Sequence, residues 1–176
     1  MEQQLLIAKC KKGDPRAQHA VYELYVKAMY NTVICIVPHQ MEAEDIVQEA
    51  FIKAFAKIKQ YREEASFGAW LKRIMINTAL SALRKTSPVF TDLEVVEEWP
   101  EEDETQEAYP NGALIHAAIK ELPEGCRVVF SLHLLEGYPQ QKVAEMLHIS
   151  ESTVKTQYRR AKMLLREKLK TLAYEG

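Results

Sequence analysis

The chain has 176 residues, 47% of them apolar, and a formal charge of −2. That length holds one domain or two small ones, and a mix rich in Leu, Ala, Glu and Lys favours helix over strand. No run approaches the ~20 apolar residues of a membrane span, and the opening MEQQLLIAKCKKGD has too short an apolar run for a signal peptide. No membrane insertion and a cytoplasmic location are therefore expected.

The charge is unevenly spread. Residues 1–88 hold 13 Lys and Arg against nine Asp and Glu, residues 89–112 hold nine acids and no Lys or Arg, and residues 113–176 hold ten cations against seven acids. Two mildly basic ends flank an acidic middle. The three cysteines, Cys10, Cys35 and Cys126, match neither a zinc nor a thioredoxin spacing, so reduced, packed thiols are expected. The five histidines are scattered singly, which argues against a metal site.

In chain order, a short helix over about 2–12 comes first. Gly13-Asp14-Pro15 then supplies a stop, a cap and a proline suited to a first helical turn. The next helix, about 16–37, places Val21, Leu24, Tyr25, Ala28, Met29, Thr32, Val33 and Ile36 at three-and-four spacing, and Pro38 ends it. A third, about 41–59, has Ile46, Val47, Ala50, Phe51, Ala54, Phe55 and Ile58 as its apolar face. Its other face carries Glu42, Asp45, Gln48, Glu49, Lys53 and Lys57. A polar loop, residues 60–66, leads to a fourth helix over about 67–85. That helix combines Phe67, Trp70, Leu71, Ile74, Ala79 and Leu83 with Arg73, Asn77, Arg84 and Lys85. Apolar faces that broad must pack on one another, so the first half reads as a helical bundle.

Residues 87–112 show no sustained helical period and contain Pro88, Pro100, Pro110 and Gly112 among nine acids. The segment reads as a linker, with Trp99 and Tyr109 as exceptions to its polarity.

Residues 122–169 read as two helix-turn-helix units. Pro139 opens a short helix with Val143, Ala144, Met146 and Leu147 on its apolar side, and residues 148–151 break the pattern. One departure counts against the motif: the turn often wants Gly for a left-handed residue, and here His148 stands nearby, although His adopts that conformation more readily than a β-branched side chain. Ser150 or Ser152 caps the next helix. One side of that helix carries Val154, Tyr158, Ala161, Leu164, Leu165 and Leu169, while the other shows Lys155, Thr156, Arg159, Arg160 and Lys162. A short helix, a tight turn and a second helix with cations and hydroxyls near its start suit a DNA major groove. The plainer reading is a helical hairpin with a solvated basic face. No Gly-rich phosphate loop, activated nucleophile or carboxylate cluster points to catalysis or to a cofactor, so a non-enzyme is expected.

The stretches GDPRAQHAVYELY, AEDIVQEAFIKAF and FGAWLKRIMINTALSALRK, followed by LPEGCRVVFSLHLLEGYPQQKVAEMLHISESTVKTQYRRAKMLLREKL, closely resemble an RNA polymerase sigma factor of the extracytoplasmic-function (ECF) subfamily. The resemblance covers nearly the whole chain. It implies an all-α protein of two small domains, region 2 over 1–87 and region 4 over 113–176, joined by an acidic linker over 88–112. It also implies a function: binding core RNA polymerase, recognising −10 and −35 promoter elements and helping to melt the promoter. Asp45, Gln48 and Glu49 correspond to the surface that grips the β′ clamp helices, and the β flap and an anti-sigma factor are implied as further partners. The loop from Tyr61 to Ser66, with Arg62, corresponds to the loop that receives a flipped non-template base. Arg73, Asn77 and Arg84 lie on the helix that meets the −10 element. Ser152, Thr153, Lys155, Thr156, Arg159 and Arg160 are the candidates for the −35 groove. A dimeric helix-turn-helix regulator is the rival reading, but it gives no role to the Arg73–Arg84 helix. A sigma mimic that never touches DNA has no use for Lys155, Arg159 and Arg160.

Overall fold

The computed structural model describes residues 2–86 and 112–174, all in helices or the turns between them. The acidic segment, with Trp99 and Tyr109, lies outside the described residues except for Gly112. The chain divides into two compact units, residues 1–83 and 84–176.

The first unit comprises α1 (Glu2–Lys11), α2 (Pro15–Ile36), α3 (Gln40–Lys57) and α4 (Phe67–Thr86), whose last turn marks the division between units. Gly13, at φ +82°, turns the chain out of α1. The Asp14 carboxylate then accepts from the amides of Arg16 at 2.9 Å and Ala17 at 3.3 Å, and Pro15 occupies the first turn of α2. These contacts satisfy amides that a helix start leaves without internal partners. α2 ends at Ile36 because Val37, preceding Pro38, is extended. α3 tightens into a 3-10 turn over Ile58–Gln60. Ser66 starts α4, its hydroxyl accepting from the Ala69 amide at 3.2 Å.

The core of this unit is built from Val21, Met29, Val33 and Ile36 of α2, Ile46, Ala50 and Phe51 of α3, and Leu71, Met75 and Ile76 of α4. Two residues expected in it lie outside. Leu24 is 61% exposed and Ala28 is exposed as well. With 3.6 residues per turn, the stripe centred on Val21, Tyr25, Met29 and Thr32 leaves Leu24 and Ala28 to one side. Phe55, Trp70 and Ile74 are half-buried at the rim.

The second unit contains α5 (Gly112–Lys120), α6 (Glu124–Phe130), α7 (Gln140–Leu147) and α8 (Glu151–Tyr174), with a single π turn over Ser131–Leu135 after α6. α5, α6 and α7 all pack on α8. Buried Arg127 donates to the Leu122 carbonyl at 3.2 Å and lies 4.0 Å from the Glu124 carboxylate, which fixes the turn between α5 and α6. On α8 the buried stripe is Val154, Gln157, Ala161 and Leu165, while Tyr158, Leu164 and Leu169 are half-buried. Gln157, polar and unexpected in a core, accepts from the Cys126 thiol at 3.1 Å. Burial pushes that thiol up from its ordinary value, and the Arg160 guanidinium partly opposes the rise. All three cysteines are free and buried.

Candidate nucleic-acid interface

The turn before α8 is short because His148 takes the left-handed conformation, φ 55° and ψ 42°, at the end of α7. Its amide and that of Ile149 close the helix by bonding the Glu145 and Ala144 carbonyls. Ser150, rather than Ser152, then caps α8: its hydroxyl accepts from the Thr153 amide at 3.0 Å. Three residues thus separate α7 from α8. Buried Val143, Ala144 and Leu147 hold α7 against its neighbours.

α8 carries its polar stripe opposite Val154, Ala161 and Leu165. Ser152, Lys155 and Arg159 are exposed and Thr156 is half-exposed along one line, whereas Thr153 and Arg160 are half-buried to the side of it. Two hydroxyls are already engaged. Thr156 donates to the Ser152 carbonyl at 3.1 Å, and Thr153 lies 2.8 Å from the Ser150 hydroxyl. Lys155 lies 3.8 Å from Glu151, an exposed pair of little energetic weight that leaves the ammonium free to move. Tyr158 stacks on Phe130 with centroids 5.9 Å apart and meets His133 edge-on at 4.7 Å, so it belongs to the packing.

In the first unit three surfaces stand apart. On α4, Arg73 and Asn77 are exposed at helical spacing; Arg84, exposed on the same face, lies in the last turn past the division and donates to the Met146 carbonyl at 2.6 Å. On α3, Asp45, Gln48 and Glu49 are exposed along one stripe, and Glu49 pairs with Lys53 at 2.6 Å. Met41 and Ile52, 79% and 70% exposed, lie at the two ends of that same stripe. Sequence reasoning missed both, although Ile52 stands outside the spacing of the buried set. A groove of about 430 Å³ opens beside the stripe, between α2 and α3, lined by Tyr22, Val26, Tyr30, Val47 and Gln48 among others.

The third surface is the 61–66 loop. Tyr61 is 7% exposed, with its ring against Phe67 and Trp70 at 5.4 Å each and its hydroxyl donating to the Ala65 carbonyl at 2.7 Å. It therefore braces the loop instead of presenting its ring to solvent. Ser66 is engaged as the α4 cap, and Arg62 is exposed. Glu63 is left-handed at φ 61°, a conformation that costs a non-glycine residue about 1–3 kcal/mol and persists only where its surroundings impose it. Lys11 of α1 supplies part of that constraint. Its ammonium donates to the Tyr61 carbonyl at 3.0 Å, stands 3.9 Å from the Glu63 carboxylate and lies over the Tyr61 ring at 5.4 Å. Between α1 and this loop is a cavity of about 440 Å³.

A helix-turn-helix with an exposed cationic stripe, in a chain that also holds a separate helical bundle, marks the class of helix-turn-helix DNA-binding proteins. Models of sigma-70 region 2 and sigma-70 region 4 match residues 21–88 and 113–165, and the chain belongs to the sigma-70 family as an ECF sigma factor, a non-enzymatic factor that recognises promoters with RNA polymerase. It is 28% identical to the RNA polymerase sigma-H factor of Pseudomonas aeruginosa, over 99% of this chain and 97% of that one. It is 29% identical to the ECF sigma factor SigW of Bacillus subtilis, over 94% and 96% of the two chains. Among solved structures it resembles the sigma factor RpoE of Bartonella quintana, captured with the anti-sigma factor NepR, at 25% identity and a TM-score of 0.54, over 86% of this chain and 96% of that one. No helix among the described residues is long and apolar enough to cross a membrane.

Proposed function

We propose that the two units divide promoter recognition between duplex and single strand. α8 enters the major groove of the −35 element with Ser152, Lys155, Thr156 and Arg159 foremost and Thr153 and Arg160 at the sides. α4 turns Arg73, Asn77 and Arg84 to the −10 element. The 61–66 loop holds one base unstacked from the non-template strand, which offsets part of the cost of opening the duplex. Asp45, Gln48 and Glu49 engage the β′ clamp helices, with Met41 and Ile52 adding apolar contact at either end, and the second unit meets the β flap. The acidic segment over 88–112 tethers region 2 (1–87) to region 4 (113–176). The complex of the Bartonella relative supports an anti-sigma factor as a further partner, and the place of action is the cytoplasm, with the polymerase.

The observation that carries this reading is the α8 stripe of cations and hydroxyls, set opposite a buried Val154–Ala161–Leu165 seam and directly after a three-residue turn. Run-off transcription with purified core polymerase and genomic DNA tests it. Transcripts starting at defined sites, dependent on this protein, are the expected result. A protein that binds an operator as a dimer and gives no transcripts with core polymerase would overturn it.

A further inference from the structure

The cavity beside the 61–66 loop has a second wall that the loop does not supply. Gln3, Gln4 and Ile7 of α1 line it on one side, and Glu63, Glu64 and Ala65 line it on the other. Its floor is apolar, formed where buried Ile7, Tyr61 and Phe67 meet. The loop is held at a set distance from α1 by Lys11, through the Tyr61 carbonyl and the Glu63 carboxylate. Gln3 is itself oriented by the bond from its amide nitrogen to the Tyr25 hydroxyl on α2, while Gln4 is exposed one residue further on. Apolar side chains at the floor with polar groups at the rim suit a nucleobase, whose face is apolar and whose edge carries donors and acceptors. Glu63 and Glu64 repel phosphate and accept from N–H groups, so they favour the edge of a base over its backbone. Amide side chains both donate and accept, the chemistry that reads a base edge.

We infer that α1 completes the base pocket: Gln3 and Gln4 are specificity-determining residues that, with Glu63 and Glu64, read the edge of one unstacked non-template base bearing an exocyclic amino group. The inference rests on the loop's role in holding such a base. Adenine and cytosine donate from that amine (N6 or N4) to carboxylate and amide oxygens, whereas thymine and guanine offer a carbonyl at the same place and meet the acids with its oxygen. Gln4 is the better probe of the two, because the bond to Tyr25 gives Gln3 a structural duty as well.

The test uses holoenzyme, reconstituted from core polymerase and full-length protein. Its probes are fluorescent non-template strands of the −10 region that differ at one position at a time, including adenine replaced by purine, which lacks the amine. Wild-type holoenzyme is expected to prefer an amine-bearing base at one position by roughly tenfold, the size of a single good base-edge contact. Gln4→Ala is expected to lose most of that preference with core binding unchanged, and Gln3→Ala to do the same provided its thermal transition is unaltered. If Glu63→Ala and Glu64→Ala flatten the preference but Gln4→Ala and Gln3→Ala leave it whole, α1 is not part of the reader and the inference falls while the loop's role stands. If thymine is preferred at the position that the loop variants affect, the amine assignment falls. If no variant on either wall changes any preference, base capture by the loop fails and the inference with it.

Discussion

The candidate nucleic-acid surfaces of the two units differ in their electrostatics. α8 offers Lys155 and Arg159 on an open helix face, with the Thr156 hydroxyl bonded back to the Ser152 carbonyl. The first unit exposes Arg73 on α4, but the cavity beside its strained loop is rimmed by Glu63 and Glu64. A duplex presents phosphates on both sides of the groove, so a reader of duplex gains from cations and loses affinity as salt rises. A reader of a single unstacked base gains from admitting the base edge while excluding phosphate from the pocket. The contrast explains how a chain with a net charge of −2 binds DNA at all: the cations are placed, not abundant.

The largest effect expected is on assembly. Asp45→Arg combined with Glu49→Arg reverses two charges on an exposed stripe of α3 that carries no core residue. Like charges juxtaposed at an interface cost several kcal/mol, enough to abolish capture by core polymerase in a pull-down while the circular dichroism of the free protein stays unchanged. Retention at the wild-type level would remove the α3 stripe from the interface. Ile52→Asp sharpens the point, because it removes apolar contact without reversing a charge and is expected to weaken capture less.

Next in size is a test of whether the units fold separately. Leu71 and Leu165 are each fully buried in their own unit. Leu71→Ala or Leu165→Ala should cost about 2–5 kcal/mol, the usual range for a cavity of that size. Brief proteolysis is expected to cut between residues 88 and 112, where nine acids and three prolines stand without a Lys or Arg, and to leave two fragments. Each mutation should then lower the thermal transition of its own fragment alone. A single shared transition that both mutations move would replace two domains with one.

These boundaries show where sequence was legible. Helix ends set by local chemistry were readable: Gly13-Asp14-Pro15 and Pro38 depend on residues within three or four positions, and the α8 cap was narrowed to Ser150 or Ser152, of which Ser150 bonds the Thr153 amide. The left-handed residue of the turn was legible only in part: His148 stands near it in place of the usual glycine, and the structure puts the left-handed conformation on His148 itself. What tertiary packing decides was not. Leu24 matches the apolar period of α2 yet finds no neighbour to cover it, and Gln157 breaks the period of α8 yet is buried because Cys126 stands opposite. The 3-10 turn at Ile58–Gln60 and the π turn at Ser131–Leu135 leave no residue signature. The candidate loop illustrates both sides. Its polarity marked it, but the second wall from α1 lies some sixty positions away in sequence, and no local pattern joins the two.

On α8 the two arginines are neighbours in sequence but not in position. Arg159 lies on the exposed line with Lys155, whereas Arg160 is half-buried beside Cys126. Arg159→Ala is therefore expected to weaken binding to a −35 duplex by about 1–3 kcal/mol if it reads a base, with relaxed preference at one base pair. Arg160→Ala should have the smaller effect, equal across sequences, with a shallower salt dependence if its contact is to phosphate. Titrations at several salt concentrations separate the two. Equal losses from both variants, with identical salt slopes, would mean that α8 meets the duplex on a different line.

The smallest effect compares the two units most directly, because among the described residues each holds one non-glycine residue at positive φ: Glu63 at 61° and His148 at 55°. Glycine takes that conformation without strain, so Glu63→Gly and His148→Gly should each gain stability, by up to about 1 kcal/mol after the added freedom of the unfolded chain is subtracted. Function should then part them. His148 serves the turn through its backbone, by bonding the Glu145 carbonyl, and a glycine preserves that bond, so −35 affinity is expected to hold. Glu63 serves through its side chain as well, which faces the cavity and pairs with Lys11. Glu63→Gly keeps the backbone turn but removes the carboxylate, so it should leave duplex binding intact and reduce discrimination among single-stranded −10 probes. Strain kept for the sake of a side chain differs from strain kept only for a turn, and this pair of variants measures that difference within one protein. If Glu63→Gly retained full discrimination, the left-handed residue in the loop would be doing no more than its counterpart in the helix-turn-helix.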